Sequence, residues 1–184
     1  MKLAFWALAV MTLTVSAAAK RWAVDHGASA LEFSGTHAGR KFTGKFDRWR
    51  ATLAYDPASL ATSRVVIAID VRSARTGDAF YDATLPQAEW FDSGKHPNAQ
   101  FASRRFRPLP SGEVAIDGTL TLKGRSMPVT AIATINARST PALAKGRAVI
   151  DRLAFDLGAK SDPTAAWVSR PIAISFNLSA RPAV

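Results

Sequence analysis

The chain has 184 residues, a formal charge of +10 and no cysteine. Without cysteine there is no disulfide framework, no thiolate-ligated metal and no lipid attached through sulfur. The basic balance leaves nucleic acid, an anionic membrane or an acidic partner as electrostatic matches.

The opening "MKLAFWALAVMTLTVSAAAKRW" places Lys2 before an apolar run from Leu3 to Val15, and small residues Ser16 to Ala19 follow. This layout predicts a cleaved export signal over residues 1–19, with a cut near Ala19, and a periplasmic or secreted protein. The alternatives are a membrane anchor or a buried strand, but the run is short of the ~20 apolar residues that a spanning helix needs. Export argues against a nucleic-acid partner. Residues 20–184 then form one domain, held by its core alone.

From Lys20 onward the dominant pattern has period two, the mark of strands with one buried face. The first expected strand is 29–37, with Leu31 and Phe33 inward and His37 on the same parity. The second, 41–55, changes phase: Phe42, Gly44 and Phe46 share one parity, and Trp49, Ala51, Leu53 and Tyr55 the other. A slip of one residue flips every side chain, so a bulge or bend is expected near Asp47–Arg48. Next, "SRVVIAIDVRS" turns Val65, Ile67, Ile69 and Val71 inward.

Residues 76–98 break the pattern. The stretch holds Asp78, Asp82, Glu89 and Asp92 and, before Lys95, no basic residue, so it is acidic against a basic body. Two short helices are expected, Pro86 opening one of them, with a Pro97 turn into the next strand. Its apolar residues Phe80, Leu85, Trp90 and Phe91 fit either a lid or a plug in a barrel end.

Alternation resumes at 99–107, which turns Phe101 inward, and is clearest in "EVAIDGTLTLKG", where Val114, Ile116, Gly118, Leu120 and Leu122 share a face. Weaker strands follow at 127–138 and 146–157, and "PIAISFNLSA" ends the series with Ile172, Ile174, Phe176 and Leu178. Gly/Pro-rich turns separate the eight. Many short strands joined by such turns predict an all-β fold, here an antiparallel eight-stranded barrel with a short helical insertion. Such a barrel is just wide enough to be filled by side chains or to hold one small ligand.

Polar chemistry is sparse. His26, His37 and His96 are the only histidines, and none lies in a zinc-ligand spacing. Asp92 and His96 could orient a base, but no nucleophile or activated water stands beside them. The better reading is that Asp92 ends a turn and His96 supports it. His37, if inward, is a hydrogen-bonded core residue or a head-group contact at the barrel mouth. "ASRRFRP" (Arg104, Arg105, Phe106, Arg107) reads as a patch for an anionic surface or a membrane redox partner. The apolar content is richer. Phe33, Phe46, Trp49, Ile67, Ile69, Phe101, Leu120, Leu122, Ile174 and Phe176 all fall on inward parities, and this set either packs dry or lines a cavity. Gly44 and Gly118 on the same face remove volume and tilt the balance to a cavity.

Several landmarks in order resemble the YceI-like family of exported, lipocalin-like barrels. They are Phe33-x-x-x-His37-x-Gly39, then Gly44-x-Phe46 with Trp49 and Tyr55-Asp56-Pro57, then Thr76-Gly77 through Trp90-Phe91-Asp92 to Pro97, Phe101 and Ser103. "GTLTLKGRSMPV" resembles its hairpin and "DRLAFDLG" its Arg-x-x-Phe strand. Gly27-Ala28 departs from the family's His-Ser, and Asp156 stands where many members have glycine. The resemblance implies a pocket for an isoprenoid chain or quinone tail, no other cofactor and no catalytic residues. The rival expectation is a small-molecule enzyme using the barrel as a reaction chamber, with His37 or His96 as acid–base; homodimerisation is left open.

Overall fold

The computed structural model of the chain describes residues 19–183, so the export signal expected over 1–19 lies, save its last residue, outside the described residues. Eleven strand segments follow one another: β1 (Arg21–Val24), β2 (Ala30–His37), β3 (Arg40–Phe46), β4 (Trp49–Ala54), β5 (Arg64–Asp70), β6 (Ala74–Arg75), β7 (Asn98–Pro108), β8 (Val114–Leu122), β9 (Arg125–Asn136), β10 (Ala142–Asp151) and β11 (Pro171–Pro182). They make eight continuous staves, because three staves are each interrupted once. A 3-10 turn at His26–Ala28 parts β1 from β2, a bend at Asp47–Arg48 parts β3 from β4, and a 3-10 turn at Val71–Ser73 parts β5 from β6.

The three interruptions meet in one crease. The Asp47 N–H donates to the Ser73 carbonyl (3.2 Å), the Arg48 N–H to Ser73 Oγ (2.9 Å), and the Asp70 N–H to the Arg48 carbonyl (3.0 Å). Asp25 caps the first turn by accepting from the Gly27 and Ala28 N–H groups. The predicted phase change at 47–48 is this bend. It lets one stave serve two neighbours: β3 pairs with β2 and β6, and β4 with β1 and β5.

All pairings are antiparallel, and β11 closes the ring by pairing with β10, β2 and β1. Closure leaves no free sheet edge among the described strands to seed association. Between β7 and β8 the register shifts at Ser103/Arg105, which leaves Arg104 as an extra residue and bends the stave there.

The sequence-based expectation differs in three places. β1 was not foreseen, since four residues are too few to show a period. The expected strand 146–157 is β10 followed by a 3-10 turn at Arg152–Phe155, ended by Asp156 in the left-handed conformation. The insertion holds one helix, α1 (Ala79–Thr84), and not two. After it, Pro86 opens no helix; its carbonyl accepts from both the N–H and the hydroxyl of Ser93.

Candidate functional site

The inward faces of the staves do not meet in the middle. They enclose a lumen of about 200 Å³. Ile67, Ile69, Phe101, Leu120, Ile174 and Phe176 point inward and yet are only half-buried, which is what an open interior leaves and a packed one removes. Phe33, Phe46, Leu85, Trp90, Phe91 and Leu122 complete the set of predicted residues that the wall contains. Among the described residues, Arg152 is the only charged one along it.

The wall is asymmetric. Phe33, Phe42, Phe46, Phe101, Phe106 and Phe176, on β2, β3, β7 and β11, bring rings to it, whereas β9 and β10 present aliphatic side chains alone, Ala131, Ala133, Ala144 and Ala148 among the larger Val129, Ile135, Leu143 and Ile150. Sequence reading missed the alanines. Their signal was present in "AIATINA" and "ALAKGRAVI", where small residues recur at alternate positions (Ala131, Ala133, Ala137; Ala142, Ala144, Gly146, Ala148), but small residues are weak markers of a buried face.

Gly44 and Gly118 were expected to leave space, and the structure corrects this. A β-carbon on Gly44 would collide with the Phe33 ring, and one on Gly118 with the Phe101 ring; Gly146 stands in the same relation to Phe176. Each glycine is covered by a neighbouring strand's phenylalanine, an arrangement that restores packing over a bare backbone. The lumen gains indirectly, because a ring lying on the wall does not project towards the axis.

Three predicted residues are placed elsewhere. Trp49 is buried, but in the crease: its ring packs edge-on to His26 (4.6 Å between centroids) and joins Leu31 and Leu178 in a side cluster. The bend at 47–48 turns it out of line with Leu53 and Tyr55, which do reach the lumen. Phe80 is 70% exposed on α1 and faces away from the barrel. His37 stands at the barrel end, where its Nδ1 lies 2.7 Å from the Tyr81 hydroxyl, tying α1 to the β2–β3 hairpin. The "ASRRFRP" run is also divided: Phe106 is buried, Arg107 pairs with Asp117 (2.6 Å), and Arg104 and Arg105 are exposed.

Residues 85–96 close this end of the barrel, and they do so with backbone bonds. The Phe91 N–H donates to the Leu85 carbonyl (3.0 Å), and the Lys95 and His96 N–H groups donate to the Asp92 carbonyl (2.9 and 2.8 Å). Asp92 adopts φ +45° to make that turn. Its carboxylate faces Lys95 at 3.7 Å, and the His96 ring lies against Gly124 of the β8–β9 turn. Asp92 and His96 therefore share a turn and not a proton.

The residue that sequence reading most undervalued is Arg152. It is 1% exposed, and its Nη2 bonds Asp162 Oδ2 at 2.6 Å. Nη1 donates to the Leu157 carbonyl (2.7 Å), and Nη2 also reaches the Val168 carbonyl (3.0 Å). Burial pulls the guanidinium's pKa down and the Asp162 charge opposes it. Asp162 is in turn held low by the N–H groups of Val168, Ala166 and Trp167, with Arg152 adding to the effect. The guanidinium lies 5.8 Å from the Trp90 ring centroid. One cation thus gathers loop 156–169 and the 85–91 segment into a stopper across the lumen. Its signal was the Arg-x-x-Phe motif, which names the residue and not its partners.

Residues 22–180 match the YceI-like domain. A UPF0312 protein of Vibrio cholerae is 32% identical over 124 residues, a match that spans 66% of this chain and 66% of that relative's length. Among solved structures, Burkholderia cenocepacia BcnA superposes with a TM-score of 0.82 at 28% identity, covering 86% of this chain and all of BcnA. A domain of Saccharophagus degradans described as polyisoprenoid binding shares the fold, with a TM-score of 0.66 at 16% identity over 89% of this chain and 99% of that one. With the domain match running from β1 to β11 and the same closed eight-stave barrel in its structural relatives, the chain belongs to the YceI-like family.

Proposed function

We propose that the protein is an exported carrier that binds a long isoprenoid-type lipid, a polyisoprenoid or a quinone tail, with the chain lying in the barrel lumen. The observation that supports this most is the lumen's asymmetry: rings on one side, alanines and larger aliphatic residues on the other, and among the described residues a single, fully paired charge along the wall. A flexible hydrocarbon needs contact and no hydrogen bonds, and this wall supplies the first without asking for the second. The Saccharophagus degradans domain, described as polyisoprenoid binding, shares the fold and adds to the reading. Binding would act by solubilisation, without bond making. His37, engaged with Tyr81, and His96, packed on Gly124, give a reaction-chamber reading little to work with.

The test is a chain-length series. At about 0.3 kcal/mol per heavy atom, each five-carbon unit that enters adds about 1.5 kcal/mol, close to tenfold in affinity. Titration of polyprenols by intrinsic Trp fluorescence should show that climb and then a plateau where the lumen is full. Equal affinity across the series would reject the lumen as the binding site, and native mass spectrometry of protein from its own host would name the bound lipid.

A further inference from the structure

Two aromatic side chains stand out in water at one end of the barrel: Phe80 is 70% exposed and Trp167 is 64% exposed. They flank the same β2–β3 hairpin. The Trp167 carbonyl accepts from the Ala38 N–H (2.8 Å), and Phe80 precedes Tyr81, which bonds His37.

Neither is a loose side chain on a loose loop. The Trp167 N–H donates to the carboxylate of buried Asp162, so its backbone is fixed on both sides and the indole is held outward. Phe80 lies in a helix capped by Asp78, whose carboxylate accepts from the Phe80 and Tyr81 N–H groups. Tyr81, one residue on, is turned the other way, to His37 and Phe42 of the wall.

The charge around them is suited to one kind of partner. Arg40 and Lys41 are exposed on the hairpin between the two aromatics, and no carboxylate among the described residues pairs with either. The acidic groups of α1 are engaged with the helix's own end: Asp78 is exposed but accepts from the Phe80 and Tyr81 N–H groups, and half-buried Asp82 accepts from the N–H and hydroxyl of Thr76. Rigid Trp and Phe beside free Arg and Lys is the combination that settles at the interface of an anionic bilayer, the rings at headgroup depth and the cations on lipid phosphates.

We infer that this end of the barrel, formed by Phe80, Trp167, Arg40 and Lys41, is a docking surface for an anionic membrane, from which a carrier would collect or deliver its lipid. The purpose rests on the proposed function; the surface itself does not. Phe42, in contact with Tyr81 beneath α1, lines the lumen, so the docked end abuts the cavity that residues 85–96 close.

The experiment uses the purified protein with vesicles of phosphatidylcholine alone or mixed with phosphatidylglycerol, followed by co-sedimentation and by quenching of Trp fluorescence with brominated acyl chains. Binding is expected to the mixed vesicles and to weaken with salt. F80S/W167S should lower it roughly tenfold or more, and R40S and K41S about fivefold each. Both aromatics are largely exposed, so thermal melts of the variants should match the parent. Uptake of a polyprenol from detergent is measured on the same proteins. Uptake with no vesicle binding, or with binding that F80S/W167S leaves intact, overturns the docking surface and leaves the carrier standing. Vesicle binding lost in F80S/W167S, with no uptake by any of the proteins, keeps the surface and rejects the carrier. Vesicles ignored by a protein that a soluble protein partner captures through the same two aromatics would reassign the surface to that partner and overturn the membrane.

Discussion

The ring of Phe176 on β11 lies over Gly146, its directly paired residue on β10, in the space that a β-carbon would occupy. The same device recurs with Phe33 over its partner Gly44 across β2–β3 and, diagonally, with Phe101 over Gly118 across β7–β8. Three rings are thereby laid along the wall of a narrow barrel, and the axis stays open.

Gly146→Ala should therefore act on stability and cavity together. The added methyl meets Phe176 and also the Ile132 carbonyl at 2.6 Å, so both ring and backbone have to give. A loss of about 1–3 kcal/mol is expected, in the range of overpacked cores. Phe176→Leu in the Gly146→Ala background should recover part of it in urea melts, because a smaller side chain frees the contested space. Strict additivity of the two losses would show that the pair is not coupled.

Ala148 offers the opposite trade. It lines the lumen on β10, where a larger side chain would extend into the cavity. Ala148→Leu should leave stability unchanged or raise it by up to about 1 kcal/mol, as cavity filling does. Polyprenol affinity should drop by an order of magnitude or more. Unchanged affinity would mean that the lipid sits elsewhere.

The stopper depends on one guanidinium. Arg152→Met keeps much of the side-chain length but leaves the carbonyls of Leu157 and Val168 without their donor and Asp162 without its counter-charge. Breaking a buried pair from one side costs roughly 3–5 kcal/mol, and the loss should be read by chemical denaturation. Hydrogen exchange should rise first at residues 157–168, the loop that Arg152 gathers. Exchange rising evenly over the whole barrel would indicate global destabilisation in place of a released stopper.

Acid should weaken the fold through the paired carboxylates. Arg107 and then Thr130 hold Asp117 down to about 2 from an ordinary 3.8, and Arg170 holds Asp151 low in the same sense. A depressed carboxylate contributes stability that is complete above the unfolded value and is lost as pH falls through the folded one. Stability should thus be flat above about pH 4 and decline between about 4 and 2. Asp117 is partly solvated, so its share is about 1 kcal/mol and not the full shift. Denaturant melts of Asp117→Asn should show a shallower decline over that window than the parent.

What the sequence by itself determined is the set of faces. Period-two spacing assigns a side of the sheet to each residue from its neighbours alone, and so eight staves, the break at Asp47–Arg48 and nine of the predicted residues on the lumen wall, from Phe33 to Phe176, could be read from it. Only the tertiary structure decided which residues meet. Asp25 donates to the carbonyl of Ser179 across the closing seam, Arg152 finds Asp162 through a loop with no period, and Phe176 covers Gly146 thirty positions away. Trp49 and Phe80 went astray for the same reason: one sits at a bend and the other on a six-residue helix, where no alternation carries the phase forward. A strand's spacing fixes direction locally, whereas partnership is set by ring closure, which joins residues according to barrel register and not their distance along the chain.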